Sequence, residues 1–243
     1  MNSPSSVEFS LKEQVALITG ASRGIGLSIA RRLGSMGARI AMCGRNTAHL
    51  EQSAAMLRSE GIEVFSMPAD VARAEDVQTL VARTREKLGD IDILVNNAGV
   101  GIFRAAHELT EDEWDRVIDT NLKGVFLMSR AVALEMIPRR SGHIINISSL
   151  AGKNTFAGGG VYCASKWGLL GLSASMAEDL RGHGIRVSAV CPGSVATEFS
   201  PHVGKDSAKM LQPDDVAHAV AMLMTQAPQS FISEVVLRPT QKP

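Results

Sequence analysis

Tyr162 is the only tyrosine in the chain, so chemistry that needs a phenol has one address. Lys166 follows four residues later in a segment of helical pattern, which puts the two side chains on one helix face. An ammonium beside a phenol stabilises the phenolate, so the pairing predicts a hydroxyl pKa drawn down from about 10 towards neutrality. A phenol tuned in that way is a general acid/base. The YxxxK spacing also arises by accident on amphipathic helices, and a third residue is needed to give it meaning. Ser149 supplies one. It follows the apolar run Gly142-His-Ile-Ile-Asn-Ile-Ser148, and open α/β sheets collect ligands at the carboxyl ends of their strands. Its hydroxyl would orient a carbonyl oxygen beside the phenol. Ser148 is the alternative, since strand neighbours point to opposite faces.

A second group of residues has the chemistry of phosphate binding. Val15-Ala-Leu-Ile-Thr19 runs into Gly20-Ala-Ser22-Arg23-Gly24-Ile25-Gly26 and then into a helical pattern. Gly20 permits the tight turn, Gly24 lets the backbone approach a pyrophosphate, Gly26 brings helix and strand close, and the helix N-terminus attracts the phosphates. The GxxxGxG spacing differs from the GxGxxG fingerprint, and a glycine-rich turn can be only a turn. Its place in the first strand–turn–helix unit favours a dinucleotide. After the second strand comes Gly44-Arg45-Asn46, with no acid before Glu51. A carboxylate there would accept a ribose 2′-hydroxyl and repel a 2′-phosphate, whereas Arg45 offers a fork of donors and Arg23 reaches the same place from the other side. The pattern predicts NADP(H) rather than NAD(H); the alternative is that both arginines are solvated loop charges.

These residues must be held by regular elements. Short β-branched runs at 15–19, 39–43, 63–66, 91–95, 143–148, 186–190 and 234–237 alternate with helical patterns at 24–35, 48–59, 74–87, 113–137, 162–181 and 214–224. Such alternation predicts an α/β fold: a Rossmann-type doubly wound sheet of seven mainly parallel strands with helices on both faces. No linker, repeat or low-complexity run divides the chain, so residues 11–243 read as a single catalytic domain behind a flexible leader, 1–10.

Composition narrows the function classes. The 243 residues carry 25 basic and 25 acidic side chains, a balance with no footprint for nucleic acid or an acidic membrane. No apolar run reaches about 18 residues, and the N-terminus lacks the features of a signal peptide. Cys43, Cys163 and Cys191 form no CxxC pair, and the histidines show no metal-ligand spacing, so the expectation is a reduced, cytoplasmic protein without metal or disulfide. Arg139-Arg140 reads either as a carrier-protein dock or as a solvated helix end.

Taken together, Thr19-Gly20-Ala-Ser-Arg-Gly24-Ile-Gly26, Asn96-Asn-Ala-Gly99, Asn121, Ser149, Tyr162-Cys-Ala-Ser-Lys166 and Pro192-Gly193 resemble, in order and spacing, the short-chain dehydrogenase/reductase family, in its single-domain branch. Within it the chain looks most like 3-oxoacyl-[acyl-carrier-protein] reductases. The resemblance covers about Lys12 to about Thr225. It implies that Tyr162 protonates the substrate oxygen, Ser149 hydrogen-bonds it, Lys166 holds the nicotinamide ribose and lowers the phenol pKa, and Asn121 holds a relay water. It implies cofactor contacts from Gly20, Ser22, Arg23, Gly24, Ile25, Gly26 and Arg45, from Asp70 and Val71 at the adenine, and from Asn97, Ala98 and Gly99 along the ribose. Pro192, Gly193, Val195 and Thr197 would serve the carboxamide and pyrophosphate.

Read singly, Asn121 can be a helix-interior amide, Asp70 a turn residue and Pro192-Gly193 a strand terminator. The implied activity is NADPH-dependent reduction of a small carbonyl compound, a 3-oxoacyl thioester on acyl-carrier protein or coenzyme A or a similar ketone. The alternatives are a dehydrogenase of a polyol, sugar or steroid alcohol, and a silent NADP-binding regulator. The resemblance further implies a homotetramer built on helices 113–137 and 162–181, with Ala164, Gly168, Gly171 and Leu172 offering a face for close helix approach; that face can equally pack on the sheet. Two features depart from the family: Val235-Val-Leu-Arg238-Pro-Thr240 lacks the usual Gly-Gly pair, and the lid between Gly193 and Pro213 is short and polar.

Overall fold

Strands that are apolar on both faces must lie inside a sheet with helices above and below it. The computed structural model, which describes residues 10–199 and 206–242, satisfies that demand with seven strands: β1 (Val15–Thr19), β2 (Arg39–Gly44), β3 (Val64–Pro68), β4 (Ile93–Asn96), β5 (Gly142–Ile147), β6 (Ile185–Pro192) and β7 (Glu234–Leu237). Their order is β3-β2-β1-β4-β5-β6-β7 and every neighbouring pair is parallel. The chain winds outward from β1 in one direction and returns to wind outward from β4 in the other, so the order reverses between β1 and β4. Ligands enter open parallel sheets at that reversal, where the crossover helices part. The expected leader falls mainly on residues outside those described.

The strands' alternating side chains feed two cores. Ile18, Ile40, Met42, Ile145 and Val190 pack on one side with α1 (Gly24–Ser35), α2 (Thr47–Ser59) and α7 (Pro213–Met224). Leu17, Ala41, Leu94, Ile144 and Val187 pack on the other with α3 (Ala74–Leu88), α5 (Gly124–Arg139) and α6 (Gly160–Arg181). Local chemistry sets several boundaries. Asn46 caps α2 by accepting from the His49 amide at 2.9 Å, so that helix starts at Thr47. β4 starts at Ile93, and Asp92 just before it ties three strands: its carboxylate accepts from the Val15 N–H at 3.0 Å, its N–H donates to Val15 O and its carbonyl accepts from the His143 N–H. The absent Gly-Gly pair leaves β7 in place: Val190 pairs with Val235, and the Gly193 N–H donates to Leu237 O at 2.9 Å.

One element differs from expectation. The single helix read over 113–137 is two: α4 (Glu111–Ile118), begun by a Thr110–Glu113 capping box, and α5, joined through a π-helical turn at Asp119–Lys123. A π turn accommodates an extra residue without breaking the rod, so apolar periodicity does not reveal it, and such turns gather at functional sites. Asn121 lies inside it.

His143, at the start of β5, is fully buried, and its Nε2 lies 2.8 Å from Ser188 Oγ. The Ser188 hydroxyl donates to Ile232 O, so Nε2 is the donor in that contact and Nδ1 is left as an unpartnered acceptor. Burial, and then the neighbouring Arg186 guanidinium, push the pKa down to about 3. The unfolded chain binds this proton near pH 6.5 and the folded chain does not, so the stabilisation is complete above that pH and is lost as pH falls towards 3. Between pH 7 and 4 the wild type should lose about 3 kcal/mol more stability than His143→Gln; denaturant unfolding at the two pH values checks this, and an unchanged gap refutes it.

Candidate active site

The glycine turn is built around the β1/β4 reversal. Gly20 holds φ +63°, and a Cβ there would stand 2.8 Å from Ala98 Cα; a Cβ at Gly26 would stand 2.4 Å from both Gly20 O and Asn97 Nδ2. No larger residue fits either place. The Asn97 side-chain amide donates to Thr19 O and Gly20 O at 3.0 Å each, and Thr19 Oγ1 accepts from the Asn97 and Ala98 N–H groups. Asn97 therefore lines the cleft while spending both side-chain donors on bracing its walls. Gly24, at φ +55°, starts α1; a Cβ there would meet only the Thr197 side chain, at 3.4 and 3.7 Å. No side chain caps that helix and no acid occupies its first turn, which leaves its N-terminal amides for an anion.

At the outer end of the cleft stand Arg45, just past β2, and Asp70 and Val71, just past β3. Asp70 Oδ1 accepts from the Ala72 N–H at 3.0 Å, so this residue shapes a turn and lines the cleft at once. Among the described residues no hydrogen bond or ion pair engages the Arg45 guanidinium. The next acid, Glu51, is turned away to Ser66 and Arg58. Arg23 instead makes an ion pair with Glu198, from the segment after β6, across two well-exposed side chains.

The inner end holds the phenol. β5 delivers Ser149, and α6, starting two residues ahead of Tyr162, delivers Tyr162 and Lys166. The Ser149 hydroxyl stands beside that of Tyr162, close enough to favour its phenolate, and accepts from the Ala151 N–H at 3.1 Å. The buried Ser148 hydroxyl donates to Lys166 O at 3.4 Å, so Ser149 is the serine left for the phenol. Lys166 Nζ, fully desolvated, donates to Ile147 O at 2.9 Å and sits 5.8 Å from the Tyr162 ring centre. Asn121 is buried behind them. Its amide donates to Val100 O (2.9 Å) and Ser165 Oγ (3.1 Å), and its Oδ1 accepts from the Val100 N–H (2.8 Å). Both side-chain donors are consumed, one in tying the π turn to the loop after β4 and the other in tying it to α6.

The expected electrostatics are reversed. Burial pushes the phenol up to about 12, against the Ser149 hydroxyl that favours the phenolate, and the same burial brings Lys166 down to about 8. At this distance the ammonium does not offset the loss of water around a single buried oxygen.

All of the expected site residues except Gly26 and Asn121 line one cleft of about 1000 Å³ along the carboxyl edge of the sheet. Residues 14–208 match the family described as short chain dehydrogenase. The chain belongs to the short-chain dehydrogenase family. It is 48% identical to a metagenomic short-chain oxidoreductase solved in complex with NADP (TM-score 0.85; 96% of this chain and 99% of that one). It is 34% identical to a variant of actinorhodin polyketide ketoreductase solved with NADPH (TM-score 0.87; 96% and 97%). It is 35% identical to dehydrogenase/reductase SDR family member 4 of Oryctolagus cuniculus, over 93% of this chain and 92% of that one.

Motif reasoning missed other lining residues of this short-chain dehydrogenase. Phe103 and Phe199 pack on the Tyr162 ring and Phe156 packs on Phe103; they come from three loops, and no local pattern brings them together. Arg139 fits neither of its two expected readings: it is partly buried and donates to Asp92 Oδ1 at 3.0 Å and to Ile91 O, at the opposite end of the strands from the cleft. Pro201, His202 and Gly204 of the expected lid lie outside the described residues. Because the chain has one tyrosine, phenolate absorbance titrates Tyr162 alone. The free protein should show no phenolate until pH rises above about 11; an absorbance step at pH 9 or below would refute the dominance of burial.

Proposed function

We propose that this short-chain dehydrogenase is an NADPH-dependent carbonyl reductase that converts ketones of the 3-oxoacyl thioester kind, or similar ketones, to secondary alcohols. The observation that carries the reading is the chain's one phenol, buried at the inner end of a dinucleotide-sized cleft that it lines together with the Ser149 hydroxyl. A neutral phenol holds the proton that a reduced carbonyl oxygen needs. Ser149 orients that oxygen. Lys166, whose pKa of about 8 keeps it mainly protonated at neutral pH, supplies positive charge where phenolate develops, and its place beside β5 suits a ribose hydroxyl. Asn121 positions the loop after β4 and the π turn around them.

The outer end fits the cofactor. The uncapped amides of α1, opened by Gly24, suit a pyrophosphate, and the Arg45 guanidinium, unengaged among the described residues, suits a 2′-phosphate. When bound, NADPH supplies the hydride. The structures of similar proteins solved with NADP and NADPH support this choice, and the ketoreductase among them supports the ketone. A reducing cytoplasm suits the three unpaired, buried cysteines.

Self-association into a homotetramer through α4–α5 and α6 is part of the same proposal. Ala164, Trp167 and Gly171 on α6 face outward rather than into the sheet, and Trp114, Phe126 and Leu134 are also exposed. Exposed apolar area of this kind marks a contact surface.

Tyr162→Phe should abolish most NADPH-dependent ketone reduction while leaving cofactor affinity nearly intact, and Lys166→Ala should lower both. Losing one charge-assisted contact costs about 1.5–3 kcal/mol, so Arg45→Ala should weaken NADPH about 10- to 150-fold and NADH much less, read by fluorescence titration. Near-normal turnover by Tyr162→Phe overturns the chemistry, and equal loss for both cofactors overturns the phosphate assignment. Sedimentation at micromolar concentration should give a tetramer; a monomer contradicts the assembly.

A further inference from the structure

The cleft has two unlike ends. Its charged lining side chains other than Lys166 (Arg23, Arg45, Asp70 and Glu198) gather at the glycine turn and outer strands. Around Tyr162 the lining is Val100, Leu150, Asn154, Thr155 and the rings of Phe103, Phe156 and Phe199. Two of the chain's seven phenylalanines thus meet its single tyrosine, and a third stands behind one of them. Phe103 stands edge-on to Tyr162, with ring centres 5.4 Å apart and planes at 69°; Phe199 lies 5.8 Å from it on another side, and Phe156 extends the wall 6.0 Å beyond Phe103. These rings are 37, 49 and 42% exposed, a costly display of apolar area unless something covers it.

The backbone is shaped to seat them. A Cβ at Gly101 would stand 2.7 Å from Phe103 Cζ and 3.0 Å from Phe199 Cε1, and one at Gly159 would stand 2.7 Å from the Phe156 ring. The nearby cations are engaged: Arg104 pairs with Glu113 and Lys153 with Glu234 at 2.7 Å. Arg104 and Lys153 are therefore already neutralised by carboxylates rather than free for a phosphate or an acidic carrier protein, and Arg139 is at the far end of the sheet.

We infer that the preferred substrate is a free, uncharged ketone bearing an aromatic ring beside the carbonyl. The inference rests on the ketone reading above and refines it. A flat ring meets the tilted Phe103 and Phe199 rings in the edge-to-face geometry that aromatic pairs prefer, and it loses little rotational freedom on binding. A flexible acyl chain covers the same area at a higher entropic cost. A sugar or polyol would bury hydroxyls against ring carbons without partners.

The test compares kcat/KM, with NADPH, for ethyl benzoylacetate, ethyl acetoacetate, ethyl 3-oxohexanoate, acetoacetyl-coenzyme A and fructose. The aryl ester should exceed each of the others by about 10-fold or more, the scale of one or two aromatic contacts. In Phe103→Ala, in Phe199→Ala and in Gly101→Ala, which displaces both rings without removing an aromatic atom, the ratio of aryl to acetoacetate ester should fall about 3- to 10-fold. Because the ratio is internal to each variant, a partial loss of folded protein does not change it. Straight-chain ester or thioester turned over as well as the aryl ester, or a ratio unmoved in all three variants, overturns the inference and leaves the reductase reading standing. No reduction of any ketone overturns that reading, and the inference falls with it.

Discussion

The site depends on one close approach, that of the glycine turn after β1 to the backbone after β4. Parallel strands leave a gap where their winding direction reverses, and the gap becomes a ligand cleft only if the two strand ends are held at a fixed separation. Here Thr19 and Asn97 hold them with reciprocal side-chain-to-backbone hydrogen bonds, and Gly20 and Gly26 admit the contact because a Cβ at either would clash with backbone. The start of α1, the Gly99–Val100 loop and, through Asn121, the π turn all take their positions from that junction.

Burial governs the chemistry at the other end of the cleft. Tyr162 and Lys166 are both withdrawn from water, and each is pushed towards its neutral form, the phenol upward and the ammonium downward. In bulk water an adjacent cation would make the phenol more acidic; in this setting desolvation is the larger effect. The result is a proton donor that keeps its proton through the neutral range beside a lysine that is close to losing its own. Ser149, beside the phenol, is the one neighbour whose hydroxyl favours the phenolate.

The two ends of the cleft divide recognition between them. Helix amides and arginines at the outer end suit a polyanion, where charge-assisted bonds give selectivity. Rings seated on glycines at the inner end suit an apolar body, where covered area and ring geometry do so. Little charge crosses from one to the other, apart from the Arg23–Glu198 pair that spans the mouth above the glycine turn.

The sequence by itself determined the parallel α/β architecture, because runs apolar on both faces admit no other sheet, and it determined the glycine turn, the lone phenol with its lysine one helical turn away, and the serine at a strand end. Each of those is a local pattern: spacing on one strand or one helix is enough to read it. The break of the predicted 113–137 helix at Asn121, the choice of Ser149 over Ser148, the commitment of Arg139 to Asp92, the upward shift of the phenol pKa and the convergence of Phe103, Phe156 and Phe199 were decided only by the tertiary structure. All five depend on what distant segments bring to one point, through burial, hydrogen-bond partners or ring contacts, and residues far apart in sequence carry no spacing from which such meetings can be read.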